Sequence, residues 1–198
     1  MHKQSEKTDK RAAILTAALE LIAANGFHGA PTSEIAARAG VGVGSIYRYF
    51  KDKEALIHAV FNELMEKVET EVLKGYDSNA PLREQYICLC RNFFRFMHNH
   101  PTFFAFSEQY FNSPYGIQRK RSLIEKANAG EKSSYYIGEF FVQAKKQLII
   151  KDLPQQLIGA LTLGPIIFML RDIHSGLLLY SEDLVQQVIE TTWESIKR

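Results

Sequence analysis

Apolar residues along the chain recur every three or four positions, which is the period of an α-helix, and no convincing run alternates with the period of two that a strand requires. The N-terminal part predicts three short helices, separated by a stop at Asn25-Gly26 and a turn at Gly40. Asp52 is a suitable N-cap for a longer helix that follows. The pattern therefore predicts an all-helical chain.

The remainder of the chain predicts longer helices, with a boundary at 75–81 and breaks at Pro101, Pro114 and Pro154. About nine helices are expected in all. Beyond the helix that starts near residue 53, the predicted ranges are about 82–99, 102–112, 117–149 (with an interruption possible at its glycines), 155–178 and 182–197.

The stretch ARAGVGVGSIYRYF, residues 37–50, admits two interpretations. Its glycines could cradle a phosphate in a nucleotide-dependent enzyme, or they could form the turn between two short helices. A dinucleotide loop needs G-x-G-x-x-G directly after a strand, whereas the spacing here is G-x-G-x-G after a helical pattern. The Gly-Lys-Ser/Thr ending of a P-loop is also absent. The nucleotide enzyme is therefore only a third hypothesis.

A helix-turn-helix explains the same stretch better. Small apolar residues on the first helix allow a second helix to pack closely, and Gly40 ends the first helix in a left-handed turn. Val41 is expected to be a buried anchor, with Ile46 and Phe50 on the inner face of the second helix. The outward face is polar, basic or sterically minimal, which suits contact with base edges and phosphates in a major groove. Its members are Gly44, Ser45, Tyr47, Arg48 and Tyr49.

Residues from about 10 to 56 resemble the TetR family of bacterial transcription regulators. The matching motifs are Gly26-Phe27, Ile35-Ala36, Ala39-Gly40-Val41, Gly44-Ser45-Ile46-Tyr47, Tyr49-Phe50 and Lys53-Glu54-Ala55-Leu56. The resemblance implies a homodimer that binds a palindromic operator in double-stranded DNA, usually as a repressor. It also implies release from DNA when a small molecule, whose identity the sequence does not give, enters the C-terminal domain. The implied domains are a helix-turn-helix domain over 1–52 and an effector-binding and dimerisation domain over 53–198.

By position, the resemblance assigns DNA contacts to Thr32, Ser33, Gly44, Ser45, Tyr47, Tyr49 and Lys53. Arg48 is either a further DNA contact or only a solvated charge. Two departures weaken individual contacts. Gly42 stands where the family often has a capping Ser or Thr, and Ala30-Pro31 replaces the usual Thr-Ser. Residues 1–53 carry eight Lys and Arg against five Asp and Glu, a small positive excess that fits a polyanion partner.

Aromatic residues are concentrated between residues 93 and 141, where nine of the thirteen phenylalanines fall. About half of these are expected to be ordinary core residues, but the density suits an aromatic effector pocket. Glu108 or Asp172 would favour a cationic effector and Arg95 an anionic one. The run 119–121 (Arg-Lys-Arg) is either a solvated face or a contact for a phosphate-bearing ligand such as an acyl-CoA. The predicted pocket residues are Phe104, Glu108, Tyr110, Tyr136, Phe140, Phe168 and Asp172.

The last two helices are predicted to form the dimer interface, as the resemblance implies. Small residues would let two helices approach closely, and an apolar stripe runs along the terminal helix. That stripe could instead pack inward on its own domain. The predicted interface residues are Gly159, Gly164, Leu184, Val188, Ile189, Trp193 and Ile196.

No residue set has the spacing of a catalytic or metal site, so we expect a protein that is not an enzyme and carries no cofactor or metal. The N-terminus shows no apolar secretory segment. The apolar stretch 157–170 is shorter than the roughly 20 residues of a membrane span. We therefore expect a bacterial cytoplasmic protein, associated with the nucleoid through DNA and with no membrane partner.

The alternative to an effector-controlled repressor is an architectural or partner-recruiting DNA-binding protein of the same fold, without a small-molecule effector.

Overall fold

The computed structural model describes the backbone of residues 2–128 and 136–198, and the side chains of residues 9–122 and 138–198. These residues form ten α-helices and no strand beyond an isolated antiparallel bridge between Ile150 and Lys197. The helices are α1 (His2–Asn25), α2 (Thr32–Arg38), α3 (Val43–Tyr49), α4 (Lys53–Val72), α5 (Leu82–Asn99), α6 (Pro101–Phe111), α7 (Pro114–Asn128), α8 (Tyr136–Lys146), α9 (Gln155–His174) and α10 (Glu182–Ile196).

The all-helical class is confirmed, but several boundaries differ from the predicted ones. Ten helices stand in the described residues where about nine were predicted, and the first of them is 24 residues long rather than short. The predicted helix 117–149 stops at Lys146, because Leu148 adopts a left-handed backbone (φ 57°) and the Ile149 N–H turns back to the Ala144 carbonyl. Nothing in the apolar pattern signals this stop, since leucine rarely adopts that conformation.

The described chain divides into two compact units. The first comprises Met1–Glu66 and His100–Ile124, and the second comprises Lys67–Asn99 and Glu125–Arg198. These units are defined by which parts of the chain pack together, whereas the predicted boundary between residues 52 and 53 separates two functions. That boundary therefore stays a prediction.

In the first unit, α1 contacts α2, α3 and α6. Ile14, Ala18 and Ile22 of α1 are fully buried, as their helical spacing predicts. The corner after α1 is held by aromatic edges, with the Phe27 ring centroid 6.5 Å from that of Phe106 and 5.4 Å from that of Tyr115. The position of α2 and α3 therefore depends on α1 and on the corner that follows it.

In the second unit, α5 packs against α8, α9 and α10, and α9 packs against α10. Tyr86 is fully buried, its hydroxyl lies 2.7 Å from the Thr192 hydroxyl, and its ring lies 5.2 Å from that of Trp193. Burial raises the pKa of the Tyr86 phenol above its ordinary value. This neutral hydrogen bond joins α5 to α10 across the core of the unit.

Substituting Gly40 and Gly44 with alanine should change stability in opposite directions. Gly40 has a φ of 66°, so Gly40→Ala should lower the free energy of unfolding by about 1–2 kcal/mol. Gly44 lies inside α3, where Gly44→Ala should raise it by up to about 1 kcal/mol. A Cβ at either position meets no atom within 4 Å, so backbone conformation alone separates the two variants. Urea unfolding followed by circular dichroism measures both, and equal effects would contradict the assignment of the turn.

Candidate nucleic-acid interface

The helix-turn-helix is built around a small buried contact between α2 and α3. Ile35 and Ala36 of α2 and Ile46 of α3 are buried, and Phe50 closes the same core. Gly40 adopts the predicted left-handed conformation. Val41 is only half-buried, so the prediction of a buried anchor is wrong. Its N–H instead binds the Ala36 carbonyl at 3.0 Å and ends α2 through the backbone.

The start of α3 is open, as the sequence predicts. Gly42 is the N-cap, with extended backbone and no side-chain hydrogen bond, and its carbonyl accepts the Ser45 N–H at 2.8 Å. A Cβ added at Gly44 would meet no atom within 4 Å. The first turn of α3 therefore presents backbone with little side-chain cover to any partner that approaches it.

The outward face of α3 carries the side chains predicted to contact DNA. Tyr47 is 53% exposed, so much of its aromatic ring faces solvent. Arg48 is exposed, whereas Ser45 is half-buried. Tyr49 is also half-buried, with its ring centroid 6.4 Å from that of Phe50. Tyr47 is therefore the most prominent side chain on this face, and Tyr49 lies at its margin.

The first turn of α2 supplies two hydroxyl groups. The helix begins at Thr32 after Pro31, whose carbonyl accepts the N–H groups of Glu34 and Ile35. Thr32 is half-buried and Ser33 is exposed. Helix N-termini favour anions, so these groups suit a phosphate. Their contact with DNA stays a prediction.

Lys53 has an internal role that the sequence pattern did not indicate. Its ammonium group donates a 2.5 Å hydrogen bond to the carbonyl of Phe27, which ties the first residue of α4 to the corner after α1. Burial lowers the pKa of Lys53 below its ordinary value. No local spacing rule links residues 26 positions apart. An ammonium group has three N–H donors, so the predicted phosphate contact stays compatible with this bond.

The predicted effector residues fall in both units. In the first unit, α6 carries Phe104 and Tyr110, which are buried, and Glu108, which is half-buried. Tyr110 stacks on Phe61 with centroids 3.9 Å apart, and its hydroxyl lies 2.9 Å from Nδ1 of His58. Neither His58 nor Phe61 was predicted as an effector residue, because the aromatic cluster that suggested a pocket lies between residues 93 and 141.

In the second unit, Phe140 is buried, and its ring centroid lies 6.0 Å from that of Tyr86. Phe168 is 59% exposed, with the Arg171 guanidinium over its ring, and Asp172 is half-buried. Such exposure fits an outer face of α9 better than the lining of a pocket. The side chain of Tyr136 lies outside the described residues. A pocket formed by these residues stays a prediction.

The predicted interface residues divide into two sets. Ile189, Trp193 and Ile196 are buried within their own unit, so they hold α10 in place and present no surface to a second copy. The inward packing that the sequence left open therefore applies to these three. Leu184 and Val188 are half-buried.

The glycines of α9 are open, because a Cβ at Gly159 or Gly164 meets no atom within 4 Å. Leu157, 44% exposed, lies on the same helix. By length and composition alone α9 is also apolar enough to span a membrane, a test that core helices of soluble proteins pass as well.

Two short helices, α2 and α3, pack through a buried contact and leave the outer face of α3 exposed. This arrangement is that of the helix-turn-helix class of DNA-binding proteins. The sequence matches two family models, "Bacterial regulatory proteins, tetR family" over residues 14–60 and "Tetracyclin repressor-like, C-terminal domain" over residues 81–197. The chain therefore belongs to the TetR family of transcriptional regulators. Proteins of this family regulate transcription by binding DNA and are not enzymes.

Individual relatives are similar over at least nine-tenths of the chain. An uncharacterised HTH-type transcriptional regulator of Haemophilus influenzae is 26% identical over 196 residues, which cover 97% of this chain and 98% of the relative. A TetR-family regulator of Marinobacter aquaeolei has a TM-score of 0.82 at 23% identity, covering all of both chains. The regulator FadR of Bacillus subtilis, solved in complex with stearoyl-CoA, has a TM-score of 0.69 at 22% identity, over 92% of this chain and 95% of that one.

Lys53→Met should destabilise the protein through the corner after α1. The Phe27 carbonyl would lose its donor, and an unsatisfied half-buried acceptor costs about 1–2 kcal/mol in the free energy of unfolding. Lys51→Met is the matched control, since Lys51 is exposed two residues away and its loss should have little effect. Urea titration compares the two variants. Equal stability of both would show that the Lys53 bond does not hold the corner.

Proposed function

We propose that the protein is a homodimeric repressor that binds a palindromic operator in double-stranded DNA and is released by a small hydrophobic or aromatic effector. The observation that carries the DNA-binding part is the exposed Tyr47 on α3, beside the open backbone at Gly44. In this proposal α3 enters the major groove, with Ser45, Tyr47 and Arg48 facing base edges. The protein acts in the bacterial cytoplasm, where its operator lies.

Contacts to the DNA backbone position the recognition helix. Thr32 and Ser33 approach one phosphate from the first turn of α2, and Tyr49 and Lys53 approach phosphates from the other side of the frame. Lys53 thus serves twice, because the same ammonium group holds the corner after α1. Contacts of this kind fix register on the duplex and make binding depend on salt.

The apolar outer face of α9 supports the dimer. Leu157 and Phe168 are exposed on this helix, and Gly164, which the helical period puts on the same side, leaves room for a second helix to approach. Gly159 falls on the side of the buried Ile166 and Leu170. Pairing of α9 with its copy about a two-fold axis would cover this face. It would also present two copies of α3 with the symmetry of a palindromic site.

The effector part of the proposal rests on the aromatic side chains of α6 and on a relative of the same fold. The Bacillus subtilis FadR protein was solved with stearoyl-CoA, a ligand with a long apolar chain and phosphates. We propose that effector binding shifts α4, whose first residue holds the corner before α2, and so favours a state with lower operator affinity. The residues beyond 52 would form the effector and dimer domain.

Tyr47→Ala should weaken operator binding by at least about tenfold, since one lost base or phosphate contact costs about 1–3 kcal/mol. The operator is first selected from random duplexes with the unaltered protein, and affinities follow from mobility shifts at fixed salt. Tyr47→Phe keeps the ring and separates the contribution of the hydroxyl. Tyr180→Ala is the control, because Tyr180 is an exposed tyrosine of the second unit. Undiminished binding by Tyr47→Ala would refute this recognition face.

Gly164→Leu should convert the dimer to a monomer while preserving the fold of each chain. A Cβ at residue 164 meets no atom within 4 Å in the chain, and a leucine there would block close approach of a second α9. Gln143→Leu places the same side chain on the exposed face of α8 and should remain dimeric. Sedimentation velocity gives the mass of each variant. A dimeric Gly164→Leu protein would require a different interface.

A further inference from the structure

One cation in the first unit has a buried donor with no acceptor. Nε of Arg119 on α7 is buried and has no hydrogen-bond partner among the described residues. The guanidinium carbon lies 5.6 Å from the centroid of the Phe61 ring, a cation–π contact that stabilises the charge but gives the Nε–H no acceptor. Buried donors of a charged group are normally paired, so Arg119 calls for an explanation.

The ring beneath Arg119 is held firmly. Phe61 is fully buried and stacks on Tyr110 at 3.9 Å with 10° between the planes. The Tyr110 hydroxyl lies 2.9 Å from Nδ1 of His58, whose Nε2 lies 3.6 Å from a carboxylate oxygen of Glu54. Helices α4, α6 and α7 thus share one aromatic and polar cluster, and Arg119 is the member whose donor is unmet.

The chemistry of an arginine side edge indicates what would meet it. Nε and one Nη point in parallel from the guanidinium and form two hydrogen bonds with the two oxygens of a carboxylate or phosphate. Exposed Lys120 and Arg121 follow on α7 and make the local potential positive. Arg95, the other candidate for an anion, already faces the Glu182 carboxylate at 3.6 Å.

We propose that Arg119 binds the carboxylate or phosphate of an anionic effector whose apolar part covers Phe111. Phe111 is 49% exposed and meets the Phe61 ring edge-on at 5.4 Å, so an apolar surface adjoins the charge. This inference rests on the proposed function and adds the charge of the effector and the residue that reads it. All the residues concerned belong to the unit that carries α2 and α3, and α6 contacts α1 there.

Three probes with the same twelve-carbon chain separate the sources of the charge: laurate, lauroyl-CoA and 1-dodecanol. Calorimetric titration of the full chain should show that laurate or lauroyl-CoA binds at least about tenfold more tightly than the uncharged alcohol, as a charge-assisted bidentate contact predicts. A preference for laurate identifies a carboxylate, and a preference for lauroyl-CoA identifies a phosphate. Arg119→Gln should remove the advantage of the anion and leave the affinity for 1-dodecanol unchanged.

Arg121→Gln is the matched control. It removes the same charge from an exposed position two residues further along the chain, so this variant should bind all three probes normally. Arg119→Lys keeps the charge without the fork and should bind the anion with intermediate affinity, which keeps the test valid if the glutamine variant fails to fold. Equal binding of anion and alcohol, no binding of either anion, or equal losses in Arg119→Gln and Arg121→Gln would each overturn the proposal. Operator binding by the same samples without probe shows separately whether the DNA-binding function holds.

Discussion

The left-handed backbone at Gly40 is the constraint on which the recognition surface depends. It ends α2 and turns the chain so that α3 packs on α2, with Ile35, Ala36 and Ile46 all buried. Once Ile46 faces inward, the helical period leaves Tyr47 and Arg48 on the outside. The polar character of that face is therefore a consequence of one turn and one buried contact.

The corner after α1 is the second constraint, since it sets where α2 begins. Phe27 is held there twice, by the edges of the Phe106 and Tyr115 rings and by the Lys53 ammonium group on its carbonyl. The first contact is apolar packing and the second is a charge-assisted hydrogen bond. Loss of an aromatic ring would therefore weaken only the first contact, and loss of the Lys53 ammonium group only the second. A shift of α4 would act on the second contact directly.

Features governed by neighbours in sequence could be predicted. The stop at Gly26, the turn at Gly40 and the Asp52 cap, which accepts the Ala55 N–H at 2.7 Å, each depend on a few adjacent residues. The bond from Lys53 to Phe27 and the stack of Tyr110 on Phe61 could not be predicted, because they join residues far apart along the chain. The aromatic density from residue 93 onward suggested a pocket, whereas several of these rings stack on one another within each unit.

The contrast between α9 and α10 shows why an apolar stripe alone does not locate an interface. α10 has one fully buried apolar face. Ile189, Trp193 and Ile196 of this face pack in the core of their own unit, where the Trp193 ring lies beside Tyr86. The exposed positions of α10 are polar, among them Glu194, while Leu184 and Val188 are half-buried. α9 is apolar on more than one side, with Ile158, Ile166 and Leu170 buried while Leu157 and Phe168 remain exposed. An apolar surface for a second copy requires exposed apolar residues beyond those that pack on the core, and the proposed dimer rests on α9 for that reason.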